Sequence, residues 1–252
     1  MKYGFLGCGN MGGALVKALS KVTKDITVTD RSGRAKGLAE EIVSSCDRIF
    51  LAVKPHMMAD LLKPLQQTLQ QRRPLLITMA AGLTISSIEE MAGGKLPVIR
   101  IMPNTPVAVG KGMTQFCCNE LVDEAAIASF REDLRFSGQL DELEERLIDA
   151  ASALSGCGPA YAYLFIEALA DGAVACGIPR AKAMEYAAAT LIGAGEMVLA
   201  TGQHPGALKD AVCSPGGSTI AGVRALEQHG FRGAVMDCVA AAFEKNKELG
   251  KK

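Results

Sequence analysis

The stretch Gly7-Cys8-Gly9-Asn10-Met11-Gly12 constrains this chain more than any other. It follows Tyr3-Gly4-Phe5-Leu6, four apolar or small residues that read as a short buried strand, and it opens into Met11 to Leu19, which reads as a helix. Strand, glycine turn and helix together make a phosphate cradle. Gly7 permits the tight turn, Gly9 lets backbone approach a pyrophosphate, and Gly12 lets the helix pack closely on the strand. The first N–H groups of the helix have no partner within it and face the anion. A chain with 27 glycines matches such a pattern easily by chance. Its place directly after the first strand favours dinucleotide binding over a purely structural turn.

Composition matters here for what it excludes. A chain of 252 residues, 49% hydrophobic, can bury a large core in one large domain or two of ordinary size. Lys plus Arg number 27 and so do Asp plus Glu. No global field therefore attracts nucleic acid or anionic lipid, and no basic run supplies a local one. The first strand begins almost at once, leaving no room for a signal peptide, and no apolar run reaches membrane-spanning length. The expected compartment is the cytoplasm. The eight cysteines show no CxxC or Cys/His pairs at ligand spacing, so reduced thiols are expected rather than disulfides or zinc. No metal site is expected.

Ile26-Thr27-Val28-Thr29 reads as the second strand, and Asp30 ends it eighteen residues after Gly12. A dinucleotide fold places the acid that holds the adenosine ribose about there. Asp30 alone suits NAD, whereas Arg31, Ser32 and Arg34 suit a 2'-phosphate, and a solvated turn cap remains the plain alternative. An amphipathic helix from Arg34 to Ser45 runs almost directly into Arg48 to Val53, a buried strand. A doubly wound sheet normally fits another strand between these two, so one edge strand is expected to be missing.

Ala52-Val53-Lys54-Pro55 closes that strand at the carboxyl edge of the sheet, where ligands bind in such folds. A helical stripe from Met58 to Leu69 is kinked or restarted at Pro64, and Leu75 to Met79 makes a further buried strand. Ala80, Ala81 and Gly82 follow, small enough for contact with a flat ligand, and Ser86 to Glu89 reads as a capping box. Val98 to Ile101 leads into Met102-Pro103-Asn104-Thr105-Pro106, a stiff polar loop at another carboxyl end or a plain turn. Met113 to Cys118 reads as the last strand, and Asp123 to Phe136 as a covering helix.

From about Asp149 the alternation of strand and helix gives way to long alanine-rich helical segments. The expected domains are 1–148 for nucleotide and 149–252 for dimerisation and substrate. The Arg180 to Thr201 helix is apolar or small almost all round and needs cover on every side, so an obligate dimer is expected to bury it. Ser214-Pro215-Gly216-Gly217-Ser218-Thr219 precedes a helix from Ile220 to His229 and forms a second candidate anion nest, with a capped turn as the alternative.

These motifs together resemble one family. GCGNMG, AVKP (Ala52 to Pro55), AAG (Ala80 to Gly82), MPNTP (Met102 to Pro106), SGCGPAY (Ser155 to Tyr161) and SPGGST (Ser214 to Thr219) stand in the order and spacing of pyrroline-5-carboxylate reductase. The resemblance covers nearly the whole chain, and its last two motifs are much more specific than the glycine turn. It implies an N-terminal Rossmann-like doubly wound sheet, here lacking one edge strand, and a C-terminal all-α dimerisation domain. It implies reduction of the cyclic imine 1-pyrroline-5-carboxylate to L-proline, the last step of proline synthesis, with NADPH the favoured donor and NADH the alternative. A homodimer is implied, assembling further in some relatives into a pentamer of dimers.

By motif match, Leu6, Gly7, Cys8, Gly9, Asn10 and Met11 would hold the pyrophosphate, with Asp30, Arg31 and Ser32 beyond them. Ala52, Val53, Lys54, Pro55, Met79, Ala80 and Ala81 would line the cofactor cleft, and Asn104 would lie near the nicotinamide. Gly216, Gly217, Ser218 and Thr219 would hold the substrate carboxylate, and Thr219 would hydrogen-bond or protonate the ring nitrogen. The chain departs from the family between Asp30 and Arg48, where a shortened segment removes an asparagine-bearing loop on the adenosine side. Two other readings stay open: a dinucleotide-binding relative without this turnover, and a reductase of another cyclic imine. A β-hydroxyacid dehydrogenase would bring a catalytic lysine, and Ser155 to Ala175 has none.

Overall fold

A computed structural model describes residues 1–29 and 38–249. The chain divides into two compact units, Met1–Pro159 with Ala241–Lys252, and Ala160–Ala240.

The first unit is built on one seven-stranded sheet. Its strands are β1 (Tyr3–Leu6), β2 (Ile26–Val28), β3 (Arg48–Leu51), β4 (Leu75–Thr78), β5 (Val98–Pro103), β6 (Gly112–Cys118) and β7 (Gly138–Glu142), in the order β2-β1-β3-β4-β5-β6-β7. β1 to β5 run parallel, β6 is antiparallel to β5, and β7 is parallel to β6. The chain crosses from β2 back past β1 to β3, so the switch in strand order falls between β1 and β3. Their register sets Leu6 beside Leu51, and the two loops that follow leave the sheet side by side.

Helices α1 (Asn10–Leu19), α2 (Leu38–Ser45), α3 (Met58–Leu62), α4 (Gln66–Arg72), α5 (Ile85–Met91), α6 (Glu124–Asp133) and α7 (Glu145–Ala151) belong to this unit. They cover both faces of the sheet, which is why β1, β3, β4 and β5 are buried along their whole length rather than alternating in polarity. Leu6, Ile49, Leu51, Leu76 and Val98 pack with Ile42, Leu62 and Ile88 on one face. Phe5, Phe50, Ile77 and Ile99 pack with Leu15, Leu19, Phe116 and Phe130 on the other. The Phe5 and Phe50 rings stack at 4.3 Å across the β1–β3 pair.

Among the described residues β2 is an edge strand of the sheet; residues 30–37, within the shortened segment, lie outside them. Three local expectations need correction. β6 is not the last strand, because Gly138–Glu142 adds β7 beside it. Its half-exposed sequence GQLDE lacks the apolar run that marks the buried strands. Helix α5 is capped by Thr84, whose hydroxyl accepts from the Ser87 N–H, two residues ahead of the expected box. α6 stops at Asp133, short of Phe136. The restart at Pro64 is seen as a 3-10 turn, Lys63–Leu65, between α3 and α4.

The second unit is all helical: α8 (Gly158–Ala175), α9 (Arg180–Thr201), α10 (Pro205–Ala211), α11 (Ser218–Gln228) and α12 (Phe231–Leu249), with α8 and α12 running on into the first unit. Between α7 and α8 the chain makes a π turn, Ser152–Gly156. α9 ends at Thr201, the expected bound, where Gly202 takes φ +63° as a left-handed cap. The buried core of this unit is small, with Ala170, Ala183 and Ala187 at its centre. Leu164, Ile192, Leu199 and Met236 remain 64–72% exposed. No helix among the described residues is long and apolar enough to cross a membrane.

Candidate functional site

The glycine turn sits at the carboxyl end of β1, beside the switch point. Gly7 has φ +99°, and a Cβ there would lie 2.8 Å from Val53 Cγ1 and 2.9 Å from the Ala52 backbone, so only glycine fits. Its N–H donates to Thr29 Oγ1 at 2.7 Å, and Thr29 is itself buried at the end of β2. Nothing local in the sequence singles out Thr29, since Thr27 carries the same hydroxyl two residues earlier. A Cβ on Gly12 would lie 3.1 Å from Ala52 Cβ, which is how α1 comes close to β3.

Gly9 differs from both neighbours. It is the N-cap of α1, with φ −83° and ψ −163°, and a Cβ there would meet nothing within 4 Å. Gly9 has no side chain with which to cap α1, and the first turn of α1 carries no acidic residue. The leading N–H groups of Asn10, Met11 and Gly12 therefore keep their anion-binding capacity. Cys8, Gly9 and Met11 are half-buried and Asn10 is exposed, so this helix start is open to solvent.

Ala52 to Pro55 follows β3 next to the glycine turn. The Ala52 N–H donates to the Leu6 carbonyl at 2.9 Å, Val53 is buried, and Lys54 is exposed with extended backbone before a 3-10 turn that starts at Pro55. Met79, Ala80 and Ala81 occupy the same edge after β4, with Ala80 buried and Ala81 exposed. Asn104 follows β5 on that edge and is buried. Its side chain is engaged within the unit: Nδ2 donates to the Ser155 carbonyl at 3.0 Å, and Oδ1 accepts from the Met113 N–H at 2.9 Å. Asp30, Arg31 and Ser32 lie outside the described residues.

The second nest lies in the helical unit. The Gly217 N–H donates to the Ser214 carbonyl at 3.0 Å, closing a turn with Pro215 at its second position and Gly216 at its third. Gly216 has φ +71°, the left-handed value that such a turn demands after proline. Gly217 then caps α11 without a side-chain hydrogen bond, and the first turn of α11 has no acidic residue. Ser218 and Thr219 are exposed on that first turn. Both nests are thus helix starts with glycine at the cap position, one in each unit.

Among the described residues, the buried charged groups elsewhere are engaged in structural pairs. Arg100 is buried in β5 and pairs with Glu145 (3.2 Å) and Asp149 (2.7 Å) of α7. Arg48 is buried against Asp133, which also accepts from the Tyr3 hydroxyl at 2.7 Å. Burial, with the Tyr3 bond to Asp133 next, raises the Tyr3 pKa above its ordinary value. Burial likewise pushes the Cys117 thiol up to about 12, with Glu145 adding to it, and raises Cys46 and Cys118. These three are protonated, inert thiols at neutral pH. No group of three His, Cys, Asp or Glu among the described residues is arranged to hold a metal ion.

Comparison with known proteins bears on both units. Residues 145–249 match the family described as pyrroline-5-carboxylate reductase dimerisation, and residues 2–82 match the family described as NADP oxidoreductase coenzyme F420-dependent. The pyrroline-5-carboxylate reductase of Escherichia coli is 40% identical over 99% of this chain and 98% of its own length. That of Pisum sativum is 37% identical over 98% of this chain and 95% of its own. Among solved structures, Plasmodium falciparum pyrroline carboxylate reductase with NADP bound superposes with a TM-score of 0.89. It is 36% identical and is covered over 99% of this chain and 98% of that one.

Proposed function

The chain belongs to the pyrroline-5-carboxylate reductase family, and we propose that its two glycine-capped helix starts divide the reaction between them. The α1 start takes the pyrophosphate of NAD(P)H, and the α11 start takes the carboxylate of the cyclic imine. The reaction is the NAD(P)H-dependent reduction of 1-pyrroline-5-carboxylate to L-proline, which completes proline biosynthesis. The observation that carries the division of labour is the contrast among the glycines of the turn. Gly7 is required by protein atoms and Gly12 is closely approached by them, whereas Gly9 faces open space where a ligand phosphate can approach the backbone.

The bound nicotinamide supplies hydride. A protonated imine is already electrophilic, and on accepting hydride at carbon its C=N bond becomes the ring secondary amine of proline. The protein therefore has mainly to orient the imine carbon and to exclude wrong geometries. That requirement accords with a site offering backbone N–H groups and small side chains instead of an acid–base pair. Leu6 to Met11 cradle the pyrophosphate, and Ala52 to Pro55 and Met79 to Ala81 border the cleft, with Asn104 closing the row after β5. Gly216, Gly217 and Ser218 hold the carboxylate, and the exposed Thr219 hydroxyl reaches the ring nitrogen as hydrogen-bond donor or proton source. The domain division that follows is 1–148 for the nucleotide and 149–252 for substrate and dimerisation.

NADPH as preferred donor is supported by Arg31 and Ser32 after Asp30, and by the NADP bound to the Plasmodium relative. The helical half matches a dimerisation family, and its exposed Leu164, Ile192 and Met236 suit burial by a second copy. Assembly into a pentamer of dimers is the further proposal, read by light scattering. Eight unpaired cysteines fit a reducing cytoplasm. The reaction is tested by following NADPH and NADH oxidation with 1-pyrroline-5-carboxylate and identifying proline as product. Absence of turnover with both donors would leave a dinucleotide-binding relative, and turnover only with a different cyclic imine would change the substrate.

A further inference from the structure

The SGCGPAY segment holds a backbone problem that the MPNTP loop solves. In a regular helix the Ser155 carbonyl would accept from the N–H of residue 159, but residue 159 is proline, which has no N–H and whose ring crowds the carbonyl four residues back. The chain responds by widening into the π turn Ser152–Gly156, in which the Cys157 N–H reaches the Ser152 carbonyl at 3.0 Å. The Asn104 amide then donates to the Ser155 carbonyl at 3.0 Å. The other end of the same amide accepts the Met113 N–H at 2.9 Å and so ties in the start of β6. The Ser155 hydroxyl adds a shared donation to Gln115 Oε1 (2.8 Å) and the Ala151 carbonyl (2.9 Å).

We infer that Asn104 is a positioning residue for hydride transfer, which acts by satisfying the carbonyl that Pro159 strips of its helical donor and so fixes both the MPNTP loop and the start of α8. Arg100, four residues earlier, anchors the same stretch of chain through Glu145 and Asp149. The β5 strand and its loop thereby hold α7 by charge and the π turn by an amide. The amide N–H given to the Ser155 carbonyl and the lone pair given to the Met113 N–H both act on backbone, and through that backbone Asn104 bears on the reaction. The kinetic part of this inference rests on the reductase reading above, and its structural part does not.

The test is a coupling experiment. Asn104→Ala leaves the Ser155 carbonyl without the amide, and Pro159→Ala gives that carbonyl a helical donor by another route. In purified full-length dimers, Asn104→Ala should lower single-turnover hydride transfer about tenfold or more, since small misplacements act steeply on such a step. The NADPH Kd should stay within about twofold of wild type. Asn104→Asp, which keeps an acceptor for Met113 but has no donor for Ser155, should lose as much. The double variant Asn104→Ala/Pro159→Ala should recover most of the loss, although the two side chains share no hydrogen bond.

Three results overturn the inference: hydride transfer in Asn104→Ala within twofold of wild type with only Tm lowered, an NADPH Kd that rises in step with the loss, or a double variant no better than the single one. The second would make Asn104 a direct cofactor contact and leave the glycine-turn reading intact. Failure of the wild type to oxidise NADPH would instead remove that reading. If Asn104→Ala does not fold, recovery of a folded, active double variant upholds the inference, and a double variant that also fails to fold overturns it.

Discussion

Alanine at Gly7 and alanine at Gly9 should fail in opposite ways, although the two glycines stand two residues apart. At Gly7 the backbone has φ +99°, and the added methyl would fall 2.8 Å from Val53 Cγ1 and 2.9 Å from the Ala52 carbonyl carbon and oxygen. Two of these three contacts are main chain and cannot rotate away. Positive-φ strain of about 1–3 kcal/mol and a similar overpacking term together suggest a loss of about 3 kcal/mol. In a chain of this size that lowers Tm by roughly 6–12 °C.

At Gly9 the methyl meets nothing within 4 Å and φ is −83°. The N-cap preference of glycine over alanine and the lower unfolded-state entropy of alanine oppose each other and cancel to within about 1 kcal/mol. The same methyl stands where the pyrophosphate must approach. Losing one charge-assisted hydrogen bond is worth about 1.5–3 kcal/mol, which raises the NADPH Kd roughly 10-fold to 100-fold. Thermal unfolding and NADPH fluorescence titration on the two variants check this. Equal Tm losses, or a Gly9→Ala protein that binds NADPH within twofold of wild type, would refute the assignment of roles within the turn.

Thr219→Ala should lower kcat/KM for the imine about 10-fold to 100-fold with Tm unchanged, because the side chain is exposed and acts as a hydrogen-bond or proton donor; steady-state kinetics with wild-type values would remove that role. Asp133→Ala should destabilise the nucleotide unit by about 3–5 kcal/mol in urea titrations, since Arg48 would stay buried without its partner. Arg48→Met/Asp133→Leu should lose much less. The Cys117 thiol titrates at about 12 in the folded chain against 9.0 ordinarily, so its burial contributes stability that is fully present below pH 9 and lost as pH rises toward 12. Cys117→Ala should flatten that segment of the stability profile, and native protein at pH 8 should alkylate at Cys117 only on unfolding.

Most of the nucleotide half was legible because parallel strands covered on both faces are apolar throughout. Phe5, Phe50 and Ile77 on one face and Leu6, Leu51 and Leu76 on the other leave little doubt where the strands run. The strand β7 escaped because half of its residues face solvent and its support comes from pairing with β6, far from any local signal. The helix start at Thr84 escaped for a different reason. Thr84, Ser86 and Ser87 are all able to cap, and which hydroxyl does so depends on where the chain leaves β4.

What the sequence determined by itself is the chemistry that backbone geometry requires locally: glycine where φ is positive at Gly7 and Gly216, proline where a turn must be stiff, and alternation of strand and helix that ends in the helical half. These are properties of neighbouring residues and their dihedral preferences, and they travel with the chain. The tertiary structure alone decided who partners whom. Thr29 holds the Gly7 N–H, Arg100 takes carboxylates from α7, and Asn104 gives its amide to a carbonyl fifty-one residues away. An amide or a guanidinium in a sequence is only an offer of hydrogen bonds. Burial presses most such offers to be matched, and the fold brings the matching groups within 3.2 Å, with the buried Nε of Arg100 left as an exception.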